Sequence, residues 1–252
     1  MTFALALIVL VGIAQVDIRA AAAALKSADP AARTRAACDL REVGDHAHDV
    51  IPQLVDLLAD ASPVDPAVCD ERTWRWGHQQ DTTTPGEQAA SALVAIGSAA
   101  YEPLTQALKG PVWIARGNAA WALGALGNHH AAPLLAVTLR DTEANVRRRG
   151  AWALGALDAS ESVPALIDAL KDADAGVREQ VAWALGAIGD RRAVEPLMHT
   201  LDDQAAQVRE QAAWALGALG DRRAAPALAK ALKDSEARVR RQAAWALGAI
   251  GG

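Results

Sequence analysis

The residues of this chain whose types admit chemistry are six histidines, two cysteines and a recurring set of aspartates and arginines. His46, His48, His78, His129, His130 and His199 could ligate a metal by type. His129-His130 and His46-Ala47-His48-Asp49 are the densest groups, and neither has the spacing of a metal motif, so both read as solvated loops. No metal and no cofactor are expected. There is no glycine-rich phosphate loop, nucleophile elbow or Cys-x-x-Cys. Asp141, Asp172, Asp203 and Asp234 each precede an arginine by six residues: Arg147, Arg178, Arg209 and Arg240. Recurrence at one interval suits architecture better than acid–base catalysis, and Arg116 extends the series upstream. The expectation is therefore a protein that is not an enzyme. Cys38 and Cys69 can form one bridge or remain independent thiols.

What remains is the chemistry of binding. The chain has eight Trp against one Tyr and one Phe, an inventory no ordinary core explains. Its 252 residues are 52% hydrophobic and 22% charged, which excludes a disordered chain. Thirty acidic against 25 basic residues give a net charge of -5, which argues against a nucleic-acid partner or an anionic membrane surface.

Trp121, Trp152, Trp183, Trp214 and Trp245 are spaced 31 residues apart, each inside one phrase, such as QVAWALGAIG or QAAWALGALG. A second phrase succeeds it, as in SVPALIDALKD and AAPALAKALKD. Such a period is architectural. Val177, Val181, Ala184, Leu185 and Ile188 lie on one face of a helix, here called helix A. Gly189 suits its left-handed cap, Asp190 can cap the next turn, and Pro196 falls early in a second helix, B. The spacing predicts helix A near 115–126, 146–157, 177–188, 208–219 and 239–250, with helix B near 131–140, 161–171, 192–202 and 223–233. Neither helix of such a hairpin can bury its apolar stripe alone, so the hairpins must stack. Glycines at 124, 155, 186, 217 and 248 inside helix A imply a neighbour too close for a Cβ. The recurring Asp and Arg read as a ladder of pairs along the stack.

VREQVAWALGAIGDRRAVEPL and VRRQAAWALGAIG resemble HEAT repeats of the phycobilisome-lyase type, a 31-residue class that also serves as the template for artificial binding scaffolds. The resemblance covers roughly residues 17–252. It implies an all-α, right-handed α-solenoid of about seven HEAT-like helical hairpins: repeats at 17–60, an inserted loop at 61–86 and further repeats at 87–252. It also implies that helix A lines the concave face, where the artificial scaffolds vary the position that Trp holds here. HEAT-like hydroxylases use His-Glu pairs, and no histidine here is followed by Glu. A bilin-lyase-like or other HEAT-repeat enzyme is the alternative reading.

On a helical wheel Trp183 falls opposite the apolar face, so the five indoles form a row along one surface. This leaves two readings: each indole seals the stack against the adjacent helix A, or the row stays partly exposed as a groove. In the second reading Arg148, Arg149, Gln180, Gln211 and Gln242 supply polar contacts around Trp anchors for a protein or peptide partner. Cys38 occupies the ladder position, yet the next such position, Ser91, lies 53 residues on, so about 22 residues are inserted within 61–86. This loop can fold back over the face where Cys38 points, which would bring Cys69 to Cys38 and place Trp74 and Trp76 at the end of the groove. At the amino terminus, residues 1–16 read as a signal-peptide-like segment around the apolar run Phe3 to Ala14. That run is too short for a stable membrane span. Export to a periplasmic or extracellular space is expected, the alternative being a cytoplasmic protein whose first helix covers the stack. A monomer is expected.

Overall fold

The computed structural model describes residues 16–69 and 82–251. Residues 1–15 of the signal-like segment, and Trp74, Trp76 and His78, lie outside the described residues.

Fourteen α-helices occur among the described residues, paired in chain order as B then A. The pairs are α1 (Ile18–Ala24) with α2 (Pro30–Val43), α3 (Ile51–Leu57) with α4 (Pro85–Ile96), and α5 (Tyr101–Ala107) with α6 (Trp113–Ala125). They continue with α7 (Ala132–Thr138) and α8 (Ala144–Ala156), α9 (Val163–Ala169) and α10 (Ala175–Ile188), α11 (Val194–Thr200) and α12 (Ala206–Leu219), and α13 (Ala225–Ala231) and α14 (Ala237–Gly251). The chain is an all-α, right-handed α-solenoid of seven hairpins.

Repetition in sequence becomes repetition in the core. Leu123, Leu154, Leu185 and Leu216 from helix A meet Leu135, Leu166, Leu197 and Leu228 from helix B, and all eight are fully buried in one continuous core. Burying one such side chain is worth about 1.5–3 kcal/mol, which a lone hairpin could not collect.

The helices differ in detail from the predicted ranges. Each downstream helix A begins about two residues earlier, because Ala144, Ala175, Ala206 and Ala237 at the first helical position extend it. The α-helical part of each helix B is only seven residues, and each of these helices after α1 is entered through a 3-10 turn. Asp190 and Asp221 cap two of these turns, accepting from the Arg192 and Arg223 amides. Gly127, Gly189 and Gly220 take positive φ after helix A, and Asp158 holds the same place at φ 51°. An aspartate pays strain there that glycine does not. Asp158→Gly is expected to raise stability by about 0.5–1 kcal/mol, net of the entropy glycine loses on folding, measurable by urea titration.

Helix A packs directly on the next helix A, whereas clefts open between successive B helices. Ala136 and Leu139 face Ala165 and Ala169 across one, and Ile167 and Leu170 face Glu195 and His199 across another. The tighter layer lies inside the curve, so the Trp helices line the inner wall.

Candidate functional site

The inner wall is built on a close approach that the glycines permit. A Cβ added at Gly124, Gly155, Gly186 or Gly217 would lie 2.6–2.9 Å from the Cα of Ala153, Ala184, Ala215 or Ala246 in the next helix A. Real Cβ atoms do not come so near, so only glycine fits. The same four positions receive the next hairpin's indole: the Cζ3 atoms of Trp152, Trp183, Trp214 and Trp245 come within 2.6–3.2 Å of the added atom. Each indole is thus wedged onto the preceding hairpin, as the sealing reading expects, and yet none is fully covered. Trp121, Trp152, Trp183 and Trp214 are half-buried, and Trp245 is 50% exposed. Trp121 and Trp152 stack with ring centroids 6.0 Å apart. One turn further along, Ala156, Ala187, Ala218 and Ala249 are exposed, so small side chains floor a channel beside the indoles.

The arginine ladder runs along the loop edge. Arg178 donates from Nε and Nη2 to both carboxylate oxygens of Asp203, at 2.7 and 2.9 Å. Its Nη1 donates to the carbonyls of Asp172 and Ala173. Arg116–Asp141, Arg147–Asp172 and Arg209–Asp234 repeat this geometry. Each arginine therefore bonds the carbonyl of the residue six places before it, and the carboxylate of the aspartate one repeat later. Arg33 and Asp60 make a further pair that the 31-residue count did not reveal. At the hairpin carrying the insertion both partners are absent: Gly86 stands in the arginine place and Gly110 in the aspartate place.

Hydrogen bonds from Arg116 and Arg209 hold the Asp141 and Asp234 carboxyls below the usual carboxylate range. At Asp172 and Asp203 burial pushes upward, but bonds from Arg147 and Arg178 and from backbone amides carry these carboxyls below it too. A depressed folded value means stability that is complete above the unfolded value near pH 4 and lost as pH falls through the folded ones. Acid unfolding is accordingly expected only below about pH 4. An Asp172→Asn/Asp203→Asn variant should show a weaker loss of stability between pH 4 and 2 by denaturant titration.

Arg148 is exposed and donates to Asn145. Arg149 is engaged inside the protein: its guanidinium donates to Asn118 Oδ1 and, at 2.9 Å, to Glu87 Oε1, tying α8 to α6 and α4. Burial pushes this guanidinium below its ordinary value, while Glu87 opposes the shift. Asn118 donates onward to the Leu58 carbonyl at 2.8 Å. Gln88 donates to Thr83 Oγ1 at 3.0 Å and accepts from Arg41 at 2.9 Å. Asn118, Glu87, Gln88 and Arg41 were not among the expected site residues. The shared register of 118 with 149 was the one signal for them: Arg41 lies across the insertion, and Glu87 pairs with a hairpin two repeats away. Gln180, Gln211 and Gln242 are half-buried, and no carboxamide among the three is hydrogen-bonded within the described residues.

Cys38 and Cys69 form a disulfide with Cα atoms 6.0 Å apart. The root of the insertion is seated: Val64, Cys69 and Thr83 are buried, and Val64 and Thr83 exchange two backbone bonds at 2.8 Å. Among the described residues, no group of three His, Cys, Asp or Glu side chains could hold a metal ion, and no helix is long and apolar enough to cross a membrane.

A stack of helical hairpins closed by Gly–Trp wedges and Arg–Asp pairs defines an α-solenoid repeat protein. Residues 131–213 and 196–252 match HEAT repeats, and residues 87–110 and 115–141 match the PBS lyase HEAT-like repeat. The chain belongs to the HEAT-repeat family. None of the curated proteins matches it. Among solved structures it is similar to the CpcE–CpcF complex of phycocyanin lyase from Nostoc sp. PCC7120, at 22% identity and TM-score 0.51 over 94% of this chain and 95% of that one. A designed armadillo repeat protein in complex with the peptide (KR)4 is similar at 17% identity and TM-score 0.54, over 93% of this chain and all of the other. Kap95 in its complex with Nup1 is similar at 15% identity and TM-score 0.66, over 94% of this chain and 37% of that one. At these identities the likeness is one of fold.

Proposed function

We propose that this chain is a non-catalytic protein-interaction scaffold that holds a protein or peptide partner on its inner helix A face. The 61–86 insertion, with Trp74 and Trp76, contributes at the upstream end of that face. The observation that carries the reading is the exposed stripe itself: half-buried or exposed indoles continue at one register from α6 to α14, with exposed alanines beside them from α8 onward. Contiguous apolar surface of this kind marks an interaction site, and Trp is a favoured anchor. Binding of peptides by other solenoids of this fold supports the same reading. The disulfide supports an oxidising, extracytoplasmic location, and the proposed working unit is a monomer.

The test must leave the Gly–Trp wedges intact, so it uses Ala187→Glu with Ala218→Glu. Both alanines are exposed, and two carboxylates in the channel should abolish retention of partners from the native compartment while helical content and melting temperature stay unchanged. Lys171→Glu on the outer layer should have no effect. Retention by the double variant would overturn the reading. A bound pigment or metal, seen in the absorption spectrum or metal content of purified protein, would instead favour a HEAT-repeat enzyme.

A further inference from the structure

The residue three places before the ladder position divides the inner wall into two stretches. Upstream, that residue is tied into the protein: Gln88 to Thr83 and Arg41, Asn118 to the Leu58 carbonyl, Arg149 to Asn118 and Glu87. Downstream, Gln180, Gln211 and Gln242 hold the same place, and among the described residues their carboxamides bond to nothing. Each stands one turn before a half-buried or exposed indole, Trp183, Trp214 or Trp245. Three unengaged donor–acceptor pairs at one register, each beside an apolar shelf, form a row with a direction and a period.

We propose that α10, α12 and α14 bind the main chain of an extended peptide, with Gln180, Gln211 and Gln242 pairing to the N–H and C=O of alternate residues. This rests on the helix A face being the interaction surface. A carboxamide carries a donor and an acceptor at one end. A strand residue offers the complementary N–H and C=O on one edge, and so do the residues two and four places on. Two strand residues advance about 6.6 Å. Helix axes in close-packed pairs lie about 8–10 Å apart, and side chains converge inside a curved stack, as the 6.0 Å between the Trp121 and Trp152 rings illustrates. One dipeptide per hairpin therefore fits. A helical ligand fits worse, because its N–H and C=O groups are bonded internally. Charge does not dominate this stretch: Glu179, Glu210 and Arg241 flank the row, and Arg238 faces Glu210 at 3.5 Å. The row therefore selects main chain together with apolar alternate side chains, which would lie against the indoles.

The experiment selects binders to the full-length protein from a library of linear 12-residue peptides. The best peptide is then resynthesised with an N-methyl group at each residue in turn. Affinity should fall about tenfold or more at three residues spaced by two, and change little at those between. Gln180→Ala/Gln211→Ala/Gln242→Ala should weaken binding to a similar degree with an unchanged melting curve, whereas Lys171→Ala should leave binding as it was. A library that yields no binder overturns the proposal, as does a peptide that binds as a helix or without the period of two. If such a peptide is nevertheless lost with Ala187→Glu/Ala218→Glu, the interaction reading stands and only the extended main-chain mode falls. Binding indifferent to those two changes sinks both.

Discussion

Gly186→Ala is expected to destabilise the protein by about 2–3 kcal/mol, although it adds one methyl group and improves intrinsic helix propensity. The added Cβ would lie 2.8 Å from the Cα and from the Cβ of Ala215, and equally close to Cζ3 of Trp214. Two of those atoms belong to a neighbouring helix at its backbone or first side-chain atom, so no rotamer change relieves the overlap. The helices must separate, and the indole loses the shelf against which it lies. Gly248→Ala is the control, since the same substitution at the same register of α14 meets nothing within 4 Å. It should stabilise by about 0.5–1 kcal/mol, the ordinary gain of alanine over glycine inside a helix. Denaturant titrations of the two variants should move in opposite directions. Destabilisation by both, to a similar extent, would mean that glycine serves local helix flexibility and not the contact between hairpins.

That contrast separates what the sequence could disclose from what it could not. A recurrent glycine, a recurrent indole and a recurrent aspartate are legible because every repeat solves the same contact in the same way, so period alone predicts a neighbour. Cys38 was legible for a related reason: it stands at the ladder position, and the insertion leaves helix B on the side where it points. The exceptions were not legible. Arg149 stands where the downstream hairpins have glutamine, and its partner Glu87 lies 62 residues away, two repeats upstream, which a contact between adjacent hairpins does not predict. Arg33 and Asp60 are 27 residues apart where the other pairs are 25, so a strict count misses them. The loss of both partners at Gly86 and Gly110 becomes meaningful only once the pairing is known to reach forward by one repeat. Helix boundaries failed more simply: α6, α8 and α12 start without a side-chain cap, and of these and α10 only α10 has one, Asp174, which accepts from the Val177 amide.

Cys69→Ser, or reduction of the Cys38–Cys69 bridge, is expected to cost about 3–4 kcal/mol, the loop-closure entropy associated with a separation of 31 residues. In a stack where hairpins pack chiefly on their neighbours, this loss should not spread evenly. The bridge joins α2 to the root of the insertion, and the same region holds the bonds of Gln88 to Thr83 and Arg41 and of Asn118 to the Leu58 carbonyl. Downstream of α8 the hairpins are held by Gly–Trp wedges and Arg–Asp pairs that the disulfide does not touch. The reduced protein is therefore expected to open from its upstream hairpins, with amide exchange in α2 and α4 accelerating about a hundredfold or more. Exchange in α10 and α12 should remain nearly unchanged. Uniform acceleration along the whole chain would show instead that the solenoid unfolds as one unit, and that the upstream block is no separate element of its stability. The same measurement bears on the inner wall. If only the upstream block loosens, Gln180, Gln211, Gln242 and the indoles beside them remain presented in either redox state, and peptide affinity should be the same before and after reduction.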